Sequence, residues 1–184
     1  MGELATVKGP VSLTMEARPV IQGGTLGQIG VDLAADASQL EIAAAGMFKK
    51  AAGVPIEFSA KLGAGEKEIR LDTFKARFAQ AELSGAGVVS LATPVPVVNF
   101  KLSSNSIELK SFESMIEMLK PYALSGTASL SAEVKGPTDA FKYSGNFTTN
   151  GIGFDYPMFK KRPSIDGRIA FSNESVDSME FKFT

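Results

Sequence analysis

The sequence contains no histidine, no cysteine and no tryptophan. Without histidine or cysteine there is no imidazole base, no thiolate nucleophile and no ligand set of the usual zinc type. A Ser-His-Asp triad is excluded. Disulfides are excluded too, so cysteine usage says nothing about redox compartment. An excess of charge of one sign is also lacking: 19 Lys and Arg stand against 20 Asp and Glu, a formal net charge of −1. That balance offers no basic footprint for nucleic acid. No apolar run reaches the roughly 18 residues that a membrane-spanning helix needs, and no signal peptide is visible. Any chemistry would fall to Asp, Glu, Lys or Tyr, and no motif assembles them. The chain reads as a non-enzyme without catalytic residues, metal or cofactor.

What is present is a two-residue period. The chain has 184 residues and a mass of 19.4 kDa, enough for one domain spanning 1–184. Val11, Leu13, Met15 and Ala17 alternate with Ser12, Thr14 and Glu16. Ile56, Phe58, Ala60 and Leu62 alternate with Glu57, Ser59 and Lys61, and Ile69 and Leu71 alternate with Glu68, Arg70 and Asp72. Phe74, Ala76 and Phe78 continue with the opposite parity, which places a bulge or turn near Asp72 to Phe74. Further runs are Val98–Leu102, Ala128–Val134, Ile169–Phe171 and Met179–Phe183. Such alternation marks strands with one dry and one wet face, the habit of antiparallel sheets. Turn signals separate the runs: Lys8-Gly9-Pro10, Gln22-Gly23-Gly24, Gly63-Ala64-Gly65, Thr93-Pro94, Lys135-Gly136-Pro137 and Asp166-Gly167. Their spacing predicts a long antiparallel meander of about eleven or twelve strands.

One segment has the helical period. Phe112, Met115, Ile116 and Leu119 fall on one helical stripe, with Ser111 as N-cap and Pro121 as stop. This predicts one short helix near 111–120. The Ala-rich stretch 34–52 favours helix by propensity, but Leu40, Ile42 and Ala44 alternate with Gln39, Glu41 and Ala43, and it is assigned to strand. Two tetrapeptides echo along the chain: Val7-Lys8-Gly9-Pro10 in Val134-Lys135-Gly136-Pro137, and Met47-Phe48-Lys49-Lys50 in Met158-Phe159-Lys160-Lys161. Their offsets differ, so they are not a strict repeat.

Other candidates carry less. Lys160, Lys161 and Arg162 form a basic cluster suited to lipid phosphate, although a solvated turn is the commoner origin of such a run. Glu113 and Glu117 are spaced i, i+4, more often a wet helical face than an acid–base pair. Asp32 and Asp36 lack the EF-hand spacing, and Gly24–Gly30 lacks the dinucleotide fingerprint. Met1-Gly2-Glu3-Leu4-Ala5-Thr6 formally fits an N-myristoylation pattern. The stronger reading is a piece of a longer protein, because Met179-Glu180-Phe181-Lys182-Phe183-Thr184 breaks off inside an alternating run.

Two stretches carry a family likeness. One runs from Val31-Asp32-Leu33 through Phe48-Lys49-Lys50 and Gly53-Val54-Pro55 to Leu83-Ser84-Gly85-Ala86-Gly87. The other runs from Ile107-Glu108-Leu109 through Leu124-Ser125-Gly126-Thr127-Ala128-Ser129-Leu130 and Gly145 to Ile165-Asp166-Gly167-Arg168-Ile169-Ala170-Phe171. In these the chain resembles the AsmA-like proteins of Gram-negative envelopes, with their TamB-type and YhdP-type relatives. The resemblance implies a strongly bent sheet, an open β-groove or half-barrel with an apolar inner face. It implies a periplasmic segment of a protein anchored in the inner membrane through a helix absent from this chain. It further implies a part in phospholipid transport or outer-membrane biogenesis, with phospholipid and envelope proteins as partners and no catalytic residues. Phe58, Phe78, Phe100, Phe171 and Phe181 are the rings expected to face inward, although any single Phe is more often ordinary core. Exposed sheet edges make self-association an expectation as well. The alternative is a structural or adhesive all-β module with a closed core that binds a protein partner. The two differ in whether the apolar face is open.

Overall fold

The computed structural model describes residues 5–22, 25–44 and 47–184. The Gln22-Gly23-Gly24 turn and the Met1–Thr6 pattern fall partly outside them. The alternating runs form strands: β1 (Ala5–Lys8), β2 (Ser12–Gln22), β3 (Thr25–Asp36), β4 (Glu41–Ala44), β5 (Phe48–Lys50), β6 (Ile56–Gly65), β7 (Glu68–Phe78), β8 (Ala81–Ser90), β9 (Val97–Ser104), β10 (Ile107–Glu108), β11 (Ser125–Pro137), β12 (Lys142–Gly153), β13 (Ser164–Ser172) and β14 (Val176–Phe183). One 11-stranded antiparallel sheet dominates, in the order β14-β13-β12-β11-β9-β8-β7-β6-β3-β2, with β10 paired to β11. The sheet is not closed: β2 and β14 are its two edges. The parity change between Leu71 and Phe74 is a bulge, as the alternation predicted, with Asp72 left out of the ladder to β6.

The two ends of the sheet differ. At one end the strands join through short connections at 65–68, 90–97, 137–142 and 172–176. The three long connections, 36–56, 104–125 and 153–164, all gather at the other end. The first of these folds with the N-terminal strand into a three-stranded sheet, β1-β4-β5. The stretch assigned to strand over 34–52 therefore holds the end of β3, then β4 and β5.

The second long connection contains the expected helical segment, in the form of two 3-10 turns, Leu109–Phe112 and Glu117–Tyr122. A regular α-helix would give the Met115 carbonyl to the Leu119 N–H. Instead the Lys49 N–H of β5 takes that carbonyl at 2.6 Å, and the Leu119 N–H turns to Ile116 O at 3.0 Å. The Ser111 hydroxyl donates back to Glu108 O rather than capping a helix, and Pro121 lies inside the second turn. Glu113 and Glu117 therefore lose the shared α-helical face, and Glu117 pairs with Lys120 at 3.9 Å.

Together these connections plug one end of the sheet. Phe78, at the end of β7, is stacked between Phe48 of β5 and Phe112 of the first 3-10 turn, with both centroid separations 6.2 Å. Met115 is buried beside them at 3% exposed. Lys50 is the most deeply buried large side chain, at 1% exposed. Its ammonium donates to the carbonyls of Leu40 (2.6 Å), Ser38 (2.9 Å) and Ala51 (3.4 Å), so its three protons all find acceptors. The Ser38 N–H in turn donates to Asp36 Oδ1 at 2.8 Å.

Elsewhere there is little closed core. Outside the plug, Ala60 and Ala128 are the buried hydrophobic side chains of the main sheet among the described residues. The chain exposes 12101 Å², against about 8,500 Å² for a compact monomer of this mass. The excess fits a sheet with no second layer packed across it among the described residues.

Candidate functional site: the apolar face

Register determines which side chains share a face, because directly paired residues of antiparallel strands point the same way. One row crosses the sheet as Leu33, Ala60, Phe74, Gly85, Leu102, Ala132, Gly145 and Phe171. A second crosses as Val31, Leu62, Leu71, Gly87, Phe100, Val134 and Tyr143. Both are apolar, and both lie on the same side. The opposite side carries Glu57, Arg77, Lys75, Glu82, Lys101, Glu133, Arg168 and Glu180. Its neighbours form cross-strand ion pairs: Arg77–Glu57 at 3.7 Å, Lys75–Glu82 at 3.8 Å and Lys101–Glu133 at 3.7 Å. Each such exposed pair contributes about 0–1 kcal/mol. Their main effect is on register, since a one-residue slip would bring the charges onto the apolar side. The Glu133 carboxyl is held below the usual range by the Lys135 ammonium at 2.7 Å, with Lys101 adding to it and burial opposing.

All five expected phenylalanines lie on the apolar side, but not in equivalent places. Phe78 is inside the end plug, covered by Phe48 and Phe112. Phe58 is exposed and meets Phe74 edge-on at 5.6 Å. Phe100, Phe171 and Phe181 share a different arrangement. Each is paired across strands with a glycine: Phe100 with Gly87, Phe171 with Gly145, Phe181 with Gly167. At each of these glycines a Cβ would overlap the partner's ring. The rings therefore lie down over the neighbouring strand, where only hydrogen fits beneath them. This is the physical content of the glycine motifs in Leu83-Ser84-Gly85-Ala86-Gly87 and Ile165-Asp166-Gly167.

The sheet is hollowed on both faces. An apolar hollow of about 290 Å³ is lined by Leu71, Phe74, Phe100, Leu102, Ala132 and Val134. A larger hollow of about 790 Å³ is mixed: Lys75, Ser84, Lys101 and Asn146 line it together with Ala86 and Ala170. The smaller one is the more uniformly apolar of the two and the better suited to hydrocarbon. Among the described residues no three Asp or Glu side chains gather as metal ligands, and no helix is long and apolar enough to cross a membrane. The basic run divides on inspection. Arg162 is a structural bridge: its guanidinium donates to the carbonyls of Ala123 and Gly153 and pairs with Asp155 at 3.6 Å. Lys160 and Lys161 lie exposed in the β12–β13 connection.

Sequence periodicity placed these rings on one face but missed the plug, whose contacts join β5, β7 and a 3-10 turn. Comparison of the chain with protein-family models, with curated proteins and with solved structures finds no match.

Proposed function

We propose that the chain is a periplasmic β-groove segment of AsmA-like kind, which holds phospholipid acyl chains on its apolar face during phospholipid transport or outer-membrane biogenesis. The observation that supports this reading is the continuity of that face. One apolar row runs from β3 to β13 and a second from β3 to β12, with no element packed over their middle among the described residues. Large exposed apolar patches mark binding surfaces. An acyl chain gains about 0.8 kcal/mol per buried CH₂, so a palmitoyl chain gains at most about 10 kcal/mol without any polar site. Native mass spectrometry of the purified chain, with organic extraction of what travels with it, tests the reading. Stoichiometric phospholipid is expected, and Phe100→Glu with Phe171→Glu should remove it while circular dichroism stays unchanged. Phe78 is left alone because it belongs to the plug. An apo mass that stays clean after incubation with phospholipid would overturn the proposal.

A second reading, partner binding along a sheet edge, is favoured by the geometry of β14. The Ser164 and Thr184 N–H groups donate to each other's carbonyls at 2.9 and 3.0 Å. By alternation the backbone groups of Met179, Phe181 and Phe183 then point away from β13, to the free edge. The opposite edge, β2, carries Pro19, a common guard on edge strands; β14 has none. With Phe181 opposite its counterpart in a second copy, Glu180 meets Lys182 across the joint. Light scattering should then show dimers, and Phe181→Pro should give monomers with the β13 pairing intact. Monomers at every concentration would count against this edge.

A further inference from the structure

The connection between β12 and β13 ends in a cluster that neither the apolar face nor the sheet edge uses. Met158 is 81% exposed, Phe159 52% and Tyr156 42%. The two rings are not loose. The Tyr156 ring stacks on Tyr122 at 6.3 Å, nearly parallel, and leans on Phe159 at 6.1 Å. Phe159 meets Phe154 edge-on at 6.0 Å. The base of the connection is tied down as well. The Asp155 N–H donates to Tyr122 O at 2.6 Å, the Phe159 N–H donates to Tyr156 O at 2.9 Å, and Arg162 bridges to Ala123 and Gly153.

Charge is arranged to match. Asp155 is taken by Arg162, and Glu117 of the neighbouring 3-10 turn by Lys120. Lys160 and Lys161, next to the apolar tip, have no carboxylate within ion-pair distance among the described residues. A merely solvated turn gives no reason for Met158 and Phe159 to face water at the end of a braced stack. An ordered apolar tip with aromatic flanks and unneutralised lysines suits the headgroup layer of an anionic bilayer. There rings sit at the level of the polar headgroups, and ammonium groups meet phosphate.

We propose that the tip Tyr156–Lys161 inserts into the headgroup layer of an anionic membrane and docks that end of the sheet on its surface. This goes beyond the acyl-binding reading and stands on different residues.

The chain has no tryptophan, so Phe159→Trp supplies a single indole at the tip, excited apart from the tyrosines. Its emission should shift to the blue with vesicles of mixed phosphatidylcholine and phosphatidylglycerol, and much less with phosphatidylcholine alone. In co-sedimentation on the mixed vesicles, the unsubstituted chain should bind, and added salt should weaken it. Lys160→Glu with Lys161→Glu should weaken binding by about tenfold or more. Met158→Ser with Phe159→Ser should do the same while circular dichroism stays unchanged. Phe100→Glu should leave docking intact, so the two proposals can fail separately. No binding to anionic vesicles overturns the inference. So does equal binding to neutral ones, or binding that survives the Met158 and Phe159 changes. The first of these results would turn the search towards a protein as the tip's occupant.

Discussion

Met47-Phe48-Lys49-Lys50 and Met158-Phe159-Lys160-Lys161 are the same four residues in the same order, and they have opposite surroundings. In the first, Phe48 stacks on Phe78, the Lys49 N–H holds the Met115 carbonyl, and Lys50 is buried on three carbonyls. In the second, Met158 and Phe159 are exposed and both lysines face water. The difference lies in what the fold brings alongside. β5 pairs with β4 and meets the 104–125 connection, whereas 158–161 lies in a connection with no strand beside it. One copy is structure, and the other is available for binding.

Substitutions can break this contrast. The largest effect belongs to Lys50→Met, which takes the buried ammonium away from three carbonyls, that of Ser38 in a buried hydrogen bond. It should destabilise the chain by about 3 kcal/mol in denaturant unfolding, while Lys161→Met should stay within about 0.5 kcal/mol. Phe48→Ala should follow at about 2–3 kcal/mol, less than a fully buried ring because Phe48 is half-buried. Phe159→Ala should leave stability nearly unchanged and register in vesicle binding. Gly87→Val tests the rings that lie on glycines. Its side chain would lift Phe100 from the strand and cost about 1–3 kcal/mol by overpacking.

The smallest effect is on acid sensitivity. The Asp36 carboxyl is held below its usual range by hydrogen bonds from the Ser38 side chain and backbone, with burial opposing and Lys50 adding slightly. A depressed folded-state pKa means stability that is present above the ordinary Asp value and lost as pH falls through the lowered one. The thermal midpoint of the unsubstituted chain should therefore drop on acidification, and that of Asp36→Asn should drop less. No counterpart to this clamp exists at 158–161 among the described residues.

How much of this was legible beforehand follows from the range of the interactions. Alternation is local, so face membership came through: Phe58, Phe78, Phe100, Phe171 and Phe181 all lie on the apolar side, and the bulge near Asp72 sits where the parity changes. Even the Val-Lys-Gly-Pro echo proved to be shared local geometry, with Gly9 at φ 119° and Gly136 at φ 116°. What alternation could not reveal depends on distant partners. Phe78 leaves the open face because Phe48 and Phe112 close over it. The helical stripe breaks into 3-10 turns because Lys49 claims a carbonyl the helix needs. Nor does the sequence distinguish two identical tetrapeptides, since their fate is decided by the strands and connections that reach them.

The central claim is that the apolar face is open and takes acyl chains. The most direct test uses neighbouring residues on opposite faces, Phe100 and Lys101. A benzophenone side chain is placed at one position or the other, the protein is incubated with phospholipid and irradiated, and adducts are read by intact mass. The account predicts a phospholipid adduct from position 100 and essentially none from position 101. No adduct from 100, or equal adducts from both, would contradict it.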